Sequence, residues 1–230
     1  MQIIWLGHGA FRIEIEDQVL LIDPWLTGNP ALPEDQHEAA IAGATQMLIT
    51  HGHGDHTADA VSVSQKTGAP LSAIVELAGV LHKQGAIEGQ GFNKGGTIRF
   101  GKVEVSMVPA SHSSSMPVDD KLTYMGMEIG YIIRGEGHTI YFSGDTAIMA
   151  DMEWIGAYYQ PDIGILSAGG HFTMDMAQAA WASKRYFDFK TVIPCHYKTF
   201  PLLEQDATRL KEGLAGVDVI EPEVMKPITL

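Results

Sequence analysis

Residues 50–59 read THGHGDHTAD and follow the apolar run Gln46-Met47-Leu48-Ile49. His51, His53, Asp55 and His56 fall within six positions, separated by Gly52 and Gly54. His51 and His53 are two residues apart, so in extended backbone their side chains project to one side and can chelate one ion. Gly54 then lets the chain turn sharply and re-aims Asp55 and His56 toward a second position. Imidazole and carboxylate donors suit zinc and other first-row divalent ions, with no thiolate needed.

Other histidines and acids fall at corresponding places. His112 comes just after the apolar run Val103–Val108, Asp145 just after Thr139–Phe142, and His196 just after Val192–Ile193. Each run reads as a strand, and in layered α/β folds sites gather where strands end, because rigid strands aim their loops into a shared crevice. The donor count fits two ions: His51, His53 and His112 for one, Asp55, His56 and His196 for the other, with Asp145 between them. Three protein donors per ion leave a position for water, the open arrangement of a catalytic site. Taken singly, a histidine after a strand is usually an ordinary surface or core residue. Ser143-Gly144-Asp145-Thr146 alone could simply cap a helix. The joint pattern carries the metal site.

Composition narrows the classes. With 15 basic and 28 acidic residues, the chain of 230 carries a formal charge of −13. Such a surface repels phosphate backbones, so nucleic acid is a poor partner, and no dense Lys/Arg run offsets this. Hydrophobic residues at 45% support a well-buried core. Cys195 is the only cysteine, which excludes an intrachain disulfide. The start, MQIIWLGHGAF, lacks the basic and long apolar regions of a secretory signal. No apolar run approaches the roughly 20 residues of a membrane span. The expectation is a cytoplasmic protein with no membrane partner.

Further strands are expected at Ile3–Leu6, Phe11–Ile15, Val19–Ile22, Met47–Ile49, Leu71–Val75, Thr97–Phe100, Tyr124–Ile133 and Ile163–Leu166. Helical spacing marks Ala147–Tyr158, Met174–Phe187 and Pro201–Gly213, and less strongly Thr57–Lys66 and Val75–Gln84. Strands first and helices interleaved later indicate an α/β layered fold. No linker or repeat divides the chain, so residues 1–230 are expected to form one domain.

The HxHxDH pattern of residues 51–56, with WLGHGAFRIE, LLIDPWLTGNP, ASHSSS, FSGD, GGHFTMD and PCHYKTFP, resembles the metallo-β-lactamase superfamily. Within it, the chain is similar to the branch of metal-dependent hydrolases related to L-ascorbate-6-phosphate lactonase. The resemblance implies a four-layer αββα sandwich with the metals at one edge of its two sheets, and the ligand roles given above. It also implies that Asp23, in LLIDP, holds a metal-bound histidine from behind; alone, Asp-Pro would read as a turn starter. Relatives doing di-iron redox chemistry carry Glu where this chain has His53, so hydrolysis is implied here.

The expected activity is hydrolysis of a small-molecule ester, lactone, amide or phosphoester by a hydroxide held at two divalent ions. Zn2+ is the first candidate, with Mn2+ or Fe2+ as alternatives. Asp55, Asp145 and His171 are the expected catalytic residues, Asp145 fixing the spacing of the ions. His171, which follows Ile163–Leu166 and two glycines, is the first candidate to protonate the leaving group. His8 is a second candidate, expected mainly to line the pocket. Two other classes are a phosphodiesterase or nuclease using the same site and a non-catalytic metal-binding protein. A homo-oligomer is compatible with the chain.

Overall fold

β2 (Ala10–Ile15) buries Ala10, Phe11, Ile13 and Ile15 while Arg12 and Glu14 stay partly exposed, the alternation of a strand covered on one face. The computed structural model, which describes residues 1–230, sets it antiparallel between β1 (Gln2–Gly7) and β3 (Gln18–Ile22). β4 (Gln46–Leu48) and β5 (Leu71–Ser72) extend this sheet in parallel, and β15 (Ile228–Thr229) closes its other edge against β1. The parallel steps need crossovers. They are made through α1 (His37–Ile41) and through α2 (Gly54–Thr57) with α3 (Ala60–Thr67).

The second sheet pairs β6 (Thr97–Phe100), β7 (Val103–Pro109), β10 (Ile129–Gly135) and β11 (His138–Phe142) antiparallel. It continues in parallel through β12 (Ile163–Ser167), β13 (Thr191–Cys195) and β14 (Asp218–Val219). The crossovers are α5 (Met152–Tyr159), α6 (Met176–Tyr186) and α7 (Thr208–Gly213). α4 (Val75–Lys83) follows β5. A separate ribbon, β8 (Ser115–Val118) with β9 (Lys121–Tyr124), rises between β7 and β10.

The two sheets face one another. Phe11 meets Phe142 edge-on with ring centres 5.6 Å apart, and the Tyr131 hydroxyl donates to the Ile49 carbonyl at 2.7 Å. A cluster of 64 buried residues runs through both sheets and the inner faces of the helices. This is the four-layer αββα sandwich expected from the sequence. No helix is long and apolar enough to cross a membrane.

The differences from expectation are local. The strand from Leu71 stops at Ser72, because Val75 already opens α4, whose buried face is Leu77, Ala78 and Leu81. The Tyr124–Ile133 run splits at Gly126, which needs φ of +82°, so β9 and β10 belong to different sheets. The Thr57–Lys66 segment is two short helices, and the Ala147–Tyr158 segment is helical only from Met152. Pro201–Gly213 is helical only from Thr208. Its first half instead ties the backbone of Glu204 to Gly169 and to Lys198. α6 starts at Met176, two residues into the expected Met174–Phe187 segment, with Asp175 as its cap in a reciprocal capping box with Gln178.

Gly156, inside α5, provides a test of this packing. Helix propensity favours Gly156→Ala by about 1 kcal/mol. A β-carbon there would run into the backbone carbonyl of Tyr186 at the end of α6. The clash is expected to win, lowering the urea midpoint of unfolding by the equivalent of about 1–3 kcal/mol. A raised midpoint would show that α5 and α6 are not pressed together in this way.

Candidate metal centre

Each donor sits where a strand runs out. His51, His53, Asp55 and His56 follow β4, His112 follows β7, Asp145 follows β11 and His196 follows β13. All seven converge at one edge of the sandwich. Ligand atoms of His51, His53 and His112 lie within 4.8 Å of one another, as do those of Asp55, His56 and His196 together with His8. Asp145 stands between the groups. Its Oδ2 is 3.0 Å from His196 Nε2, 3.5 Å from His56 Nε2, 3.7 Å from His112 Nε2 and 3.9 Å from His51 Nε2.

Asp23, fully buried at the end of β3, organises these donors from behind. It accepts hydrogen bonds from the Thr50 N–H at 2.8 Å, the Thr50 hydroxyl at 2.6 Å and His56 Nδ1 at 2.8 Å. With its hydrogen committed to Asp23, the Thr50 oxygen accepts from His51 Nδ1 at 2.9 Å. The Nε2 atoms of His51 and His56 are thereby left facing the centre as lone-pair donors. Burial raises the Asp23 carboxyl above the ordinary range, opposed by His56 and the Thr50 donors.

Electrostatics divide the histidines. Burial holds His51, His53 and His112 below the ordinary histidine range, keeping their lone pairs free. Burial also works against a charge on His196, but Asp145 outweighs it and raises that imidazole to about 9. His56 is likewise raised by Asp145, Asp55 and Asp23 against the effect of burial. Burial opposes ionisation of Asp145, yet His196 and His56 hold its carboxyl well below the usual range. Asp55 is lowered too, against its own burial, chiefly by His56. His56 Nε2 is buried without a hydrogen-bond partner, 3.5 Å from both Asp55 Oδ2 and Asp145 Oδ2. Two carboxylates around one buried imidazole nitrogen call for positive charge there, which a proton supplies without metal and a divalent ion could supply in its place. The nitrogen and oxygen donor set suits such an ion.

His8 lies closer to the centre than its sequence context indicated. Its ring is buried, 2.9 Å through Nε2 from Asp55 Oδ2 and 3.8 Å from the His196 ring. Burial pushes its pKa down to about 4. Thr199, which holds His8 Nδ1 at 2.9 Å, and Thr50 were not anticipated from the sequence; a hydroxyl beside a histidine is too common a pattern to stand out.

His171 is not brought to the cluster. Its exposed ring packs on Phe172 and lines a surface cavity of about 540 Å³ with Asp175, Leu202 and Glu204, and none of the seven donors lines that cavity. The turn at Gly169-Gly170 sends the chain away: Gly170 N–H bonds to Met174 while the Gly169 α-carbon packs on the His196 carbonyl. Trp5 packs on Tyr197 and Trp25 sets its edge to His8. Lys198 pairs with Glu221, and Ser114 accepts from the Gly52 N–H.

A sequence profile described as the β-lactamase superfamily domain matches residues 18–197. The chain belongs to that superfamily. It is 62% identical, over the full length of both proteins, to a UPF0173 metal-dependent hydrolase of Paracoccus denitrificans. It is 64% identical over 228 residues, covering 99% of each chain, to one of Roseobacter denitrificans. Among solved structures, Igni18, a metallo hydrolase of Ignicoccus hospitalis, superposes with a TM-score of 0.86 at 32% identity, covering 99% of this chain and 97% of its own. The diiron β-hydroxylase CmlA of Streptomyces venezuelae shares the fold, with a TM-score of 0.74 at 15% identity over 54% of its length. This β-lactamase superfamily member is a metal-dependent hydrolase, and its His/Asp cluster could bind the metal.

The raised pKa values of His56 and His196 fix a sign. Both imidazoles are protonated at neutral pH without metal, and each must lose a proton to become a ligand. Zn2+ binding at pH 7 is therefore expected to release protons, with apparent affinity rising as pH approaches about 9. Calorimetry of the metal-free protein in buffers of different protonation enthalpy measures both; proton-neutral, pH-independent binding would contradict the assignment.

Proposed function

We propose that this chain is a dinuclear hydrolase of small molecules, acting on an ester, lactone, amide or phosphoester bond. One observation carries this assignment: a single oxygen, Asp145 Oδ2, lies within 3.9 Å of nitrogens from both donor groups. That spacing supports a carboxylate shared by two cations. His51, His53 and His112 would hold one ion, and Asp55, His56 and His196 the other. Zn2+ is the first candidate, with Mn2+ or Fe2+ as alternatives. When bound, the pair supplies Lewis-acid polarisation of the scissile bond and acidifies water to near neutrality.

The protein's own contribution is placement. His51, His56 and His196 are buried, whereas His53, His112 and Asp55 are partly exposed and form the mouth. Substrate enters on that side. Asp55 is the acid facing it, able to accept a hydrogen bond from an incoming water and orient it. Ser113 Oγ, 3.3 Å from His53 Nε2, offers a hydroxyl to a substrate oxygen at the same mouth. A net charge of −13 disfavours polynucleotide substrates, which supports a small-molecule hydrolase over a nuclease. His53, where di-iron oxygenase relatives have Glu, supports hydrolysis over redox work. A cytoplasmic location is supported by the single, buried Cys195, which leaves no intrachain disulfide.

Metal analysis of untagged protein is expected to return two ions per chain, and a screen of lactones, esters, thioesters, β-lactams and phosphodiesters to find turnover in one class. Asp145→Asn should then lower turnover by more than about 100-fold while leaving the circular dichroism spectrum unchanged. Full activity in that variant would end the shared-carboxylate assignment.

A further inference from the structure

We propose that His8 is a positioning residue: it donates its Nε2 hydrogen to Asp55 and so holds that carboxylate in place for the second ion. The inference rests on the two-ion reading above. Asp55 is the least constrained member of its group. It lies in the four-residue helix α2, and its side chain is 31% exposed, against 1% for His56 and 3% for His196. Left alone, its carboxylate would turn toward solvent. His8 Nε2 meets Asp55 Oδ2 at 2.9 Å, nearer than the Nε2 atoms of His56 and His196 at 3.5 Å each.

The direction of this hydrogen bond follows from its partners. A carboxylate can only accept, so Nε2 carries the hydrogen; in a neutral imidazole Nδ1 is then the acceptor. Thr199 Oγ1 lies 2.9 Å from Nδ1 and 3.1 Å from the Tyr197 carbonyl, so its one hydrogen has two acceptors in reach, and the carboxylate at Nε2 is what selects this tautomer. An imidazole N–H can hold the acid without placing a fixed positive charge beside a cation, which lysine or arginine would do.

The turn that delivers His8 is built for the purpose. His8 adopts φ of +54° between Gly7 and Gly9, and a β-carbon at Gly9 would sit 2.8 Å from His56 Cε1. The His8 carbonyl accepts from the Trp5 indole at 2.8 Å and from the His196 N–H at 2.9 Å. Trp25 and Phe200 close the other edges of the ring. The first hairpin is thus tied to the loop carrying His196 as well as to Asp55.

The test is a titration of metal-free protein with Zn2+ alone against a chromophoric competing chelator. Wild type is expected to bind two ions. His8→Ala should keep the first affinity and weaken the second by about 10–100-fold. His8→Gln, whose side-chain amide can still donate to Asp55, should recover most of that loss. Thr199→Val, which leaves His8 in place but removes the hydrogen-bond partner of its Nδ1, should weaken the second ion selectively, so an unstable His8→Ala protein would not leave the question open. Three results would overturn the proposal: unchanged binding in His8→Ala, equal weakening of both ions, or no recovery with Gln, which would make His8 a direct ligand. A wild type binding fewer than two ions would overturn the two-ion reading and this inference with it.

Discussion

One buried carboxylate sets the protonation pattern of the whole centre. Asp23 takes three hydrogen bonds, two from Thr50 and one from His56. Because Thr50 gives up its hydroxyl hydrogen, it can only accept from His51, so one acid orients a donor in each group. A buried charge is tolerated only when fully hydrogen-bonded. Asp23 meets that condition using the very groups whose tautomers the site needs fixed. It also sits at the end of β3, with its N–H on the Leu48 carbonyl of β4, so the orientation is built into strand pairing.

The two sheets divide the labour. The first brings Asp23, the HxHxDH loop and the His8 turn; the second brings His112, Asp145 and His196. Their mutual position is held by a close-packed interior, which resists sliding because any gap forfeits contacts. The approach is tight at Gly144, next to Asp145, where a β-carbon would collide with the Ile129 carbonyl and press on Thr50. Small residues at the seam let Asp145 reach donors of the other sheet.

Much of this was legible in the sequence, for identifiable reasons. Metal donors need particular side chains, and loops after strands are where such side chains gather, so the residues that converge here stand out in the sequence by the HxHxDH spacing and by their places after apolar runs. The layered fold followed from the same runs. What failed was sensitive to tertiary context. A continuous apolar stretch such as Leu71–Val75 does not say where strand gives way to helix, and Pro201–Asp206 spends its backbone groups on Gly169 and Lys198 instead of on a helix. His171 satisfies the strand-end rule, but after the turn at Gly169-Gly170 its ring lines a separate surface cavity. His8 carries little weight in the sequence because a lone histidine between glycines has no partner near it in the chain, and its ring meets Asp55 only in the fold.

The all-nitrogen-and-oxygen character of the donor set has a consequence for durability. Oxidants damage thiolate-based metal sites by converting cysteine sulfur to sulfenic and higher acids. Here the one sulfhydryl nearby, Cys195, is next to His196 in the chain but buried, and burial pushes its ionisation well above the ordinary thiol range. It offers peroxide little thiolate to attack. A metal held by these donors would have no thiolate ligand to lose to oxidation.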